Sequence, residues 1–185
     1  MQSNVIIAGF GGQGVLLIGK MLAYAGLAEG KEVSWFPSYG PEMRGGTANC
    51  TVVISDRPIG SPVIQSPFAV IALNQPSLDK FEPAIKPKGL LVMNTSLIER
   101  HPKRDDVEVI RIAANQIAMG LGNGRAANMV ALGAYVGFTK IVSVEQIEAL
   151  ILEQFGKKPE VHRINLEAFK AGFTIGMEYT KEEKA

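Results

Sequence analysis

Two glycine-punctuated stretches hold the side chains best placed to do chemistry. One runs Ser38-Tyr39-Gly40-Pro41-Glu42-Met43-Arg44-Gly45-Gly46. Glycine and proline account for turns there. They do not account for an acid, a guanidinium, a methionine and a phenol set between the turns. Pro41 and the Gly45-Gly46 pair restrict the backbone, so Glu42 and Arg44 are held to a small range of directions. Arg44 could pair with Glu42, a solvated contact worth little, or present its planar fork to an anion. Long shaped loops in compact domains tend to be working loops.

The other stretch is Gly9-Phe10-Gly11-Gly12-Gln13-Gly14. Its glycines fit G-x-G-x-x-G between a strand and a helix, a turn that offers backbone N–H groups and a positive helix end to a phosphate. The alternative is a tight turn that packs helix on strand and binds nothing. A dinucleotide site also needs an acid near the end of the second strand. Trp35, Phe36, Pro37 and Ser38 occupy that place, and Glu32 stands too early, so a nicotinamide cofactor is disfavoured.

Three asparagines add to these loops. Asn74 and Asn94 follow apolar strands, where open α/β sheets place their ligands; capping of helices and turns is the competing role. Asn128 is the conspicuous polar residue of an apolar helix. A buried amide needs partners, so Asn128 either holds a neighbouring loop or points to an interface. No catalytic residue set stands out. His101 and His162 are the two histidines and have no partner at ligand spacing, and Cys50 is the one cysteine, so the sequence offers no metal site. There is no G-x-x-x-x-G-K-[ST] loop.

Elements must position these groups. Asn4 to Ala8 reads as a buried first strand. Val15 to Glu29 carries a helical stripe of Val15, Ile18, Leu22, Ala25 and Gly26, with Gly19, Ala23 and Gly26 small enough to let it lie close to a sheet. Glu32 to Phe36 is a second strand. Thr47 to Ser55 alternates, with Ala48, Cys50, Val52 and Ile54 on one face, and is expected to pair antiparallel with Ile59–Ile64. Apolar strands follow at 68–73, 90–93 and 107–112. Helices are expected at 76–85, 113–119, 126–138, after a Ser143 cap with Gln146 in capping-box position, and at 165–179. Lys157-Lys158-Pro159 reads as a linker. The fold class is α/β: a single domain spanning 1–185, a mixed sheet with helices packed on it, and a Rossmann-like βαβ start with a right-handed crossover.

Composition agrees with this. The 185 residues are 46% hydrophobic and 20% charged, which is globular rather than disordered, and the net charge of +1 suggests neither a nucleic-acid nor a membrane surface. Without a basic, apolar, cleavable leader or a spanning apolar run, a cytoplasmic protein is expected.

G-F-G-G-Q-G near the start, S-Y-G-P-E-M-R-G-G before the alternating strand, I-G-S-P after it and N-M-V-A-L-G-A around Asn128 together resemble the gamma subunit of 2-oxoacid:ferredoxin oxidoreductases. The likeness covers nearly the whole chain, and P-E-M-R-G-G is its specific part. Tyr39 to Met43 leans toward the pyruvate, branched-chain or 2-oxoglutarate branches rather than the indolepyruvate enzymes. The resemblance implies oxidative decarboxylation of a 2-oxoacid on thiamine diphosphate, with electrons passing through iron–sulfur clusters to ferredoxin and the acyl group to coenzyme A. It implies alpha, beta and ferredoxin-like delta subunits that hold the thiamine and the clusters, and an isolated chain that is inert. That Arg44, or the N–H groups of Gly11 to Gly14, meets a coenzyme A phosphate is our own assignment. Two other readings stay open: a free-standing nucleotide-binding module and a purely structural assembly subunit.

Overall fold

The computed structural model describes residues 2–38 and 47–182. The chain runs β1 (Gln2–Phe10), α1 (Val15–Ala28), β2 (Glu32–Ser38), β3 (Thr47–Ser55), β4 (Ala69–Ala72), α2 (Gln75–Phe81), β5 (Leu90–Asn94), β6 (Glu108–Ile112), α3 (Ala114–Gly120), α4 (Ala127–Thr139), α5 (Val144–Phe155) and α6 (Pro159–Glu182). Among the described residues the strands form a six-stranded mixed sheet in the order β2-β3-β1-β4-β5-β6. No helix among them is long and apolar enough to cross a membrane.

β3 lies between β1 and β2 and is antiparallel to both. Thr47 faces Phe10 and Ser55 faces Gln2 on one side; Asn49 faces Ser38 and Ser55 faces Glu32 on the other. The expected pairing of β3 with Ile59–Ile64 is therefore wrong, because both edges of β3 are already taken. Residues 59–64 form no strand. Pro58 and Pro62 cannot donate to a ladder, and Ser61 instead closes a local turn, its hydroxyl accepting from the Val63 N–H at 3.1 Å. β1, β4, β5 and β6 run parallel.

The βαβ start is present, but β1 and β2 are not neighbours. α1 covers one face of the sheet and α2 the other: Ile18 and Leu22 join a core with Ile7, Val52 and Ile71, whereas Leu78 joins one with Ile6, Val70 and Leu91. The small residues of α1 bring it close to the sheet, as expected. A side chain at Gly19 would strike Cys50 and crowd Trp35, and one at Gly26 would crowd Val33 and Ile54.

α4 and α6 pack backbone to backbone. Gly133 and Gly137 of α4 face the carbonyls of Phe169 and Phe173, while Gly172 and Gly176 of α6 face those of Val130 and Ala134. α6 starts at Pro159, earlier than expected, because proline suits a first helical turn. It continues through Asn165, whose amide donates back to the Val161 carbonyl at 2.8 Å. Ser143 precedes α5, but the capping box is not made. Its hydroxyl makes no cap bond, and its N–H donates to Glu29 at the end of α1. Gly156 ends α5 as expected.

Candidate functional site

β1 and β4 are adjacent and parallel, yet the connections after them leave in opposite directions, through α1 to β2 and through α2 to β5. The carboxyl ends of two such strands bound a crevice. The glycine turn after β1 forms one wall of it. Gln13 closes that turn: its N–H donates to the Phe10 carbonyl at 3.1 Å, and its Oε1 accepts the Phe10 N–H at 2.6 Å. Gly14 stands at the N-terminus of α1 with φ of 73°, and no side chain caps that end. The left-handed backbone favours glycine, and so does the packing. A Cβ at Gly14 would collide with the Asn128 amide, which donates to the Gly14 carbonyl at 3.3 Å.

A chain of amides continues along the crevice floor. Asn74 caps α2 through the Ser77 N–H at 3.0 Å and donates to Gln13 Oε1 at 3.1 Å. Gln13 Nε2 reaches the Leu73 carbonyl at 3.5 Å. Asn94 donates to that same carbonyl at 3.1 Å and to Asn115 Oδ1 at 2.8 Å. Its own oxygen accepts the N–H groups of Ala114 at 3.1 Å and Ser96 at 3.3 Å. Asn94 is 1% exposed and Asn128 4%; buried amides of this kind need such partners.

These groups surround a cavity of about 430 Å³ lined by Gly12, Gln13, Asn94, Asn115, Arg125 and Asn128, with Asn123 at its rim. Leu73, Ala127 and Met119 supply its apolar surface; Met119 is 70% exposed. Among the described residues no carboxylate lines it. Arg125 is exposed, and its guanidinium has no ion-pair partner among the described residues. α4 begins beside it with no acid in its first turn and no side-chain cap. Helix starts and a guanidinium together favour an anion.

The expected site residues divide as follows. Gly12, Gln13, Asn94 and Asn128 meet at the cavity, and Asn128 does hold a neighbouring loop. Gly11 is an exposed residue of the same turn. Gly9 is buried in β1, where a side chain would press on Gln13 and Val15, so its need is for packing. Ser38 ends β2 at the same edge of the sheet, two strands from β1. Tyr39, Glu42, Met43, Arg44, Gly45 and Gly46 lie outside the described residues. The strand ends that flank them, Ser38 and Thr47, stand at the edge that carries the glycine turn. Asn115, Asn123 and Arg125 escaped the sequence reading. The usable signal was N-G-R ahead of an apolar helix, an arginine among glycine and asparagine comparable to Arg44.

Cys50 is away from the cavity, fully buried beneath α1, as its apolar face implied. Burial pushes its thiol up to about 12, against a smaller opposing pull from Trp35. Among the described residues no three histidine, cysteine or acidic side chains gather as a metal site. The residues described do not fit an iron–sulfur cluster.

The model of the pyruvate ferredoxin/flavodoxin oxidoreductase family matches residues 4–175. Ketoisovalerate oxidoreductase subunit VorA of Methanothermobacter marburgensis is 42% identical over 173 residues, which is 92% of this chain but 36% of VorA. The gamma subunit of the keto/oxoacid ferredoxin oxidoreductase from Geobacter sulfurreducens superposes with a TM-score of 0.85 at 30% identity, covering 96% of this chain and 98% of that one. The 2-oxoglutarate:ferredoxin oxidoreductase of Magnetococcus marinus, solved with 2-oxoglutarate, coenzyme A and succinyl-CoA bound, gives 0.87 at 28% identity over 96% of this chain and 31% of that one. The chain thus spans about a third of some relatives and nearly all of another. With a family model matched from β1 into α6, and the same α/β fold in its solved relatives, this chain belongs to the pyruvate ferredoxin/flavodoxin oxidoreductase family.

Proposed function

We propose that this chain is the gamma-type subunit of a 2-oxoacid:ferredoxin oxidoreductase and that its cavity receives a phosphate-bearing part of coenzyme A. The reaction cleaves a 2-oxoacid to carbon dioxide and an acyl group, passes an electron pair to ferredoxin and transfers the acyl group to the thiol of coenzyme A. Thiamine diphosphate and the iron–sulfur clusters belong to partner subunits of alpha, beta and ferredoxin-like delta type. The observation that carries the reading is the cavity at the β1/β4 crevice, with a glycine turn and, among the described residues, no ion-pair partner for Arg125 and no carboxylate in the lining. The relative solved with coenzyme A and succinyl-CoA supports the choice of ligand. Arg44 is the second candidate contact, since the strands that flank its segment end at the same edge.

A dinucleotide site fits less well. The acid that would read a ribose belongs at the tip of the strand next to β1. Here β3 fills that place, running the other way, and β2 ends in Trp35 to Ser38 without an acid. Reconstitution separates the readings. The chain alone should give no 2-oxoacid-dependent dye reduction, and addition of partner subunits should restore it in a coenzyme A-dependent way. Activity of the chain alone, or binding of NAD(H) in preference to coenzyme A, would overturn the proposal. Arg44→Ala should leave the melting of the chain unchanged and lower turnover or apparent coenzyme A affinity in the complex. Arg44→Lys should fail similarly if the contact is bidentate.

A further inference from the structure

Four of the five amides that line the cavity have their polarity fixed by the backbone, each with its oxygen held by a main-chain N–H. Gln13 Oε1 is held by the Phe10 N–H, and Asn94 Oδ1 by the N–H groups of Ala114 and Ser96. Asn123 Oδ1 accepts from the Arg125 N–H at 3.0 Å, and Asn128 Oδ1 from the Met129 N–H at 2.9 Å. A backbone N–H can only donate, so none of these side chains can be turned over without loss of a bond. Asn94 passes its orientation on. Both of its N–H groups are spent, on the Leu73 carbonyl and on Asn115 Oδ1. Asn115 must therefore show its oxygen to Asn94 and keep its NH2 group for elsewhere. That NH2 group, and that of Asn123, has no hydrogen-bond partner among the described residues, and both residues line the cavity. Gln13 and Asn128 each use one N–H on a main-chain carbonyl and retain another.

From this we infer that Asn115 is a ligand-binding residue, oriented by Asn94, in a cavity that admits groups rich in acceptors and poor in donors, namely the oxygens of a phosphate or pyrophosphate. The inference rests on the functional reading above and names the residues that would carry its ligand contact. A lone carboxylate is the poorer occupant. Its two oxygens cannot engage donors spread over Gln13, Asn115, Asn123, Asn128 and Arg125, whereas a pyrophosphate presents acceptors in several directions. Among the described residues no carboxylate lines the cavity, so a ligand amine, which can only donate, gains little there.

The test is a substitution that spares the relay. In Asn115→Asp one oxygen still accepts from Asn94, and only the group facing the cavity changes, from donor to anion. Inorganic pyrophosphate is titrated into the full chain calorimetrically, with 2-oxoglutarate as the carboxylate arm and melting recorded in parallel. Wild type should bind pyrophosphate saturably, and Asn115→Asp should weaken it at least about tenfold with melting unchanged. Asn94→Ala should weaken it too, since it removes the N–H that turns Asn115 without adding a charge to the lining. If Asn115→Asp melts early, Asn123→Asp at the rim decides, with the same loss expected. Wild type that binds no pyrophosphate up to about 10 mM overturns the inference. So do variants that bind as wild type does, or 2-oxoglutarate that binds more tightly than pyrophosphate. The two proposals fail separately. A reconstituted enzyme whose coenzyme A dependence ignores Asn115→Asp removes the relay and leaves the oxidoreductase. A chain that binds pyrophosphate through Asn115, yet supports no 2-oxoacid turnover with any partners, does the reverse.

Discussion

Cys50 shows how a residue's surroundings decide its chemistry. Its thiol is fully buried under Gly19 with Trp35 beside it, and burial raises it to about 12. Tyr135, buried and hydrogen-bonded to Ser3, is also raised to about 12. Both groups are neutral when protonated, so both contribute fully below their unfolded values near 9.0 and 10.0. As the pH rises above those values the unfolded chain releases its protons first and stability falls, until the folded groups ionise as well. Cys50 alone should cost about 1.5 kcal/mol by pH 10. Urea midpoints at mild and at alkaline pH will show this drop, and Cys50→Ala should flatten it. In the native chain at neutral pH the thiol should resist alkylation and react only on unfolding. The burial of Cys50 was legible in the alternation of β3. The role proposed for Asn115 was not, because an amide's task depends on which atoms lie across from it, and Asn94 is far away in sequence.

Among the elements, α4 and α6 make the firmest contact, and their glycines are its cause. A methyl group at Gly172 would overlap the Val130 carbonyl oxygen, a main-chain atom that cannot rotate aside. Gly172→Ala should destabilise the chain by about 3 kcal/mol or more despite its better helix propensity, whereas Gly120→Ala, with open space around it, should be near neutral. A denaturant series on the two variants checks this. On the opposite face Glu82, 1% exposed, ties the loop before β6 to α2. It pairs with Arg100 at 2.6 Å and accepts the N–H groups of Lys103 and Arg104. Glu82→Ala leaves the two N–H groups without their acceptor and the Arg100 guanidinium with only Asp79 and the His101 carbonyl, and should cost about 3 kcal/mol, measured the same way. Helix periodicity exposed the apolar faces of α4 and α6 in the sequence. It could not show that their glycines interlock, since G-A-Y-V-G and G-F-T-I-G look like weak helix in isolation.

At the scale of the whole molecule, the α/β class, the strand–glycine turn–helix opening and most of the element positions could be read directly. The sheet order could not. Alternation tells which faces of a strand are wet or dry, but it does not say which neighbour occupies each edge. Ile59–Ile64 was a reasonable partner for β3 by proximity, and β1 displaced it by offering nine paired positions and an apolar face in register. That arrangement also dictates a sequence of events in time. β1 precedes its neighbours in the chain and has no adjacent strand until β3 or β4 is available. β2 and β3 are consecutive and can zip locally, since short loop closures precede distant ones. The expected order is a β2–β3 ribbon that docks on β1, followed by growth through β4, β5 and β6. Destabilising changes at Val33 or Ile54 should therefore slow refolding, while those at Ile110 should mainly speed unfolding. On a ribosome β1 must wait, exposed, for some forty further residues. The apolar Val5-Ile6-Ile7-Ala8 segment is then an unpaired strand that a chaperone can bind.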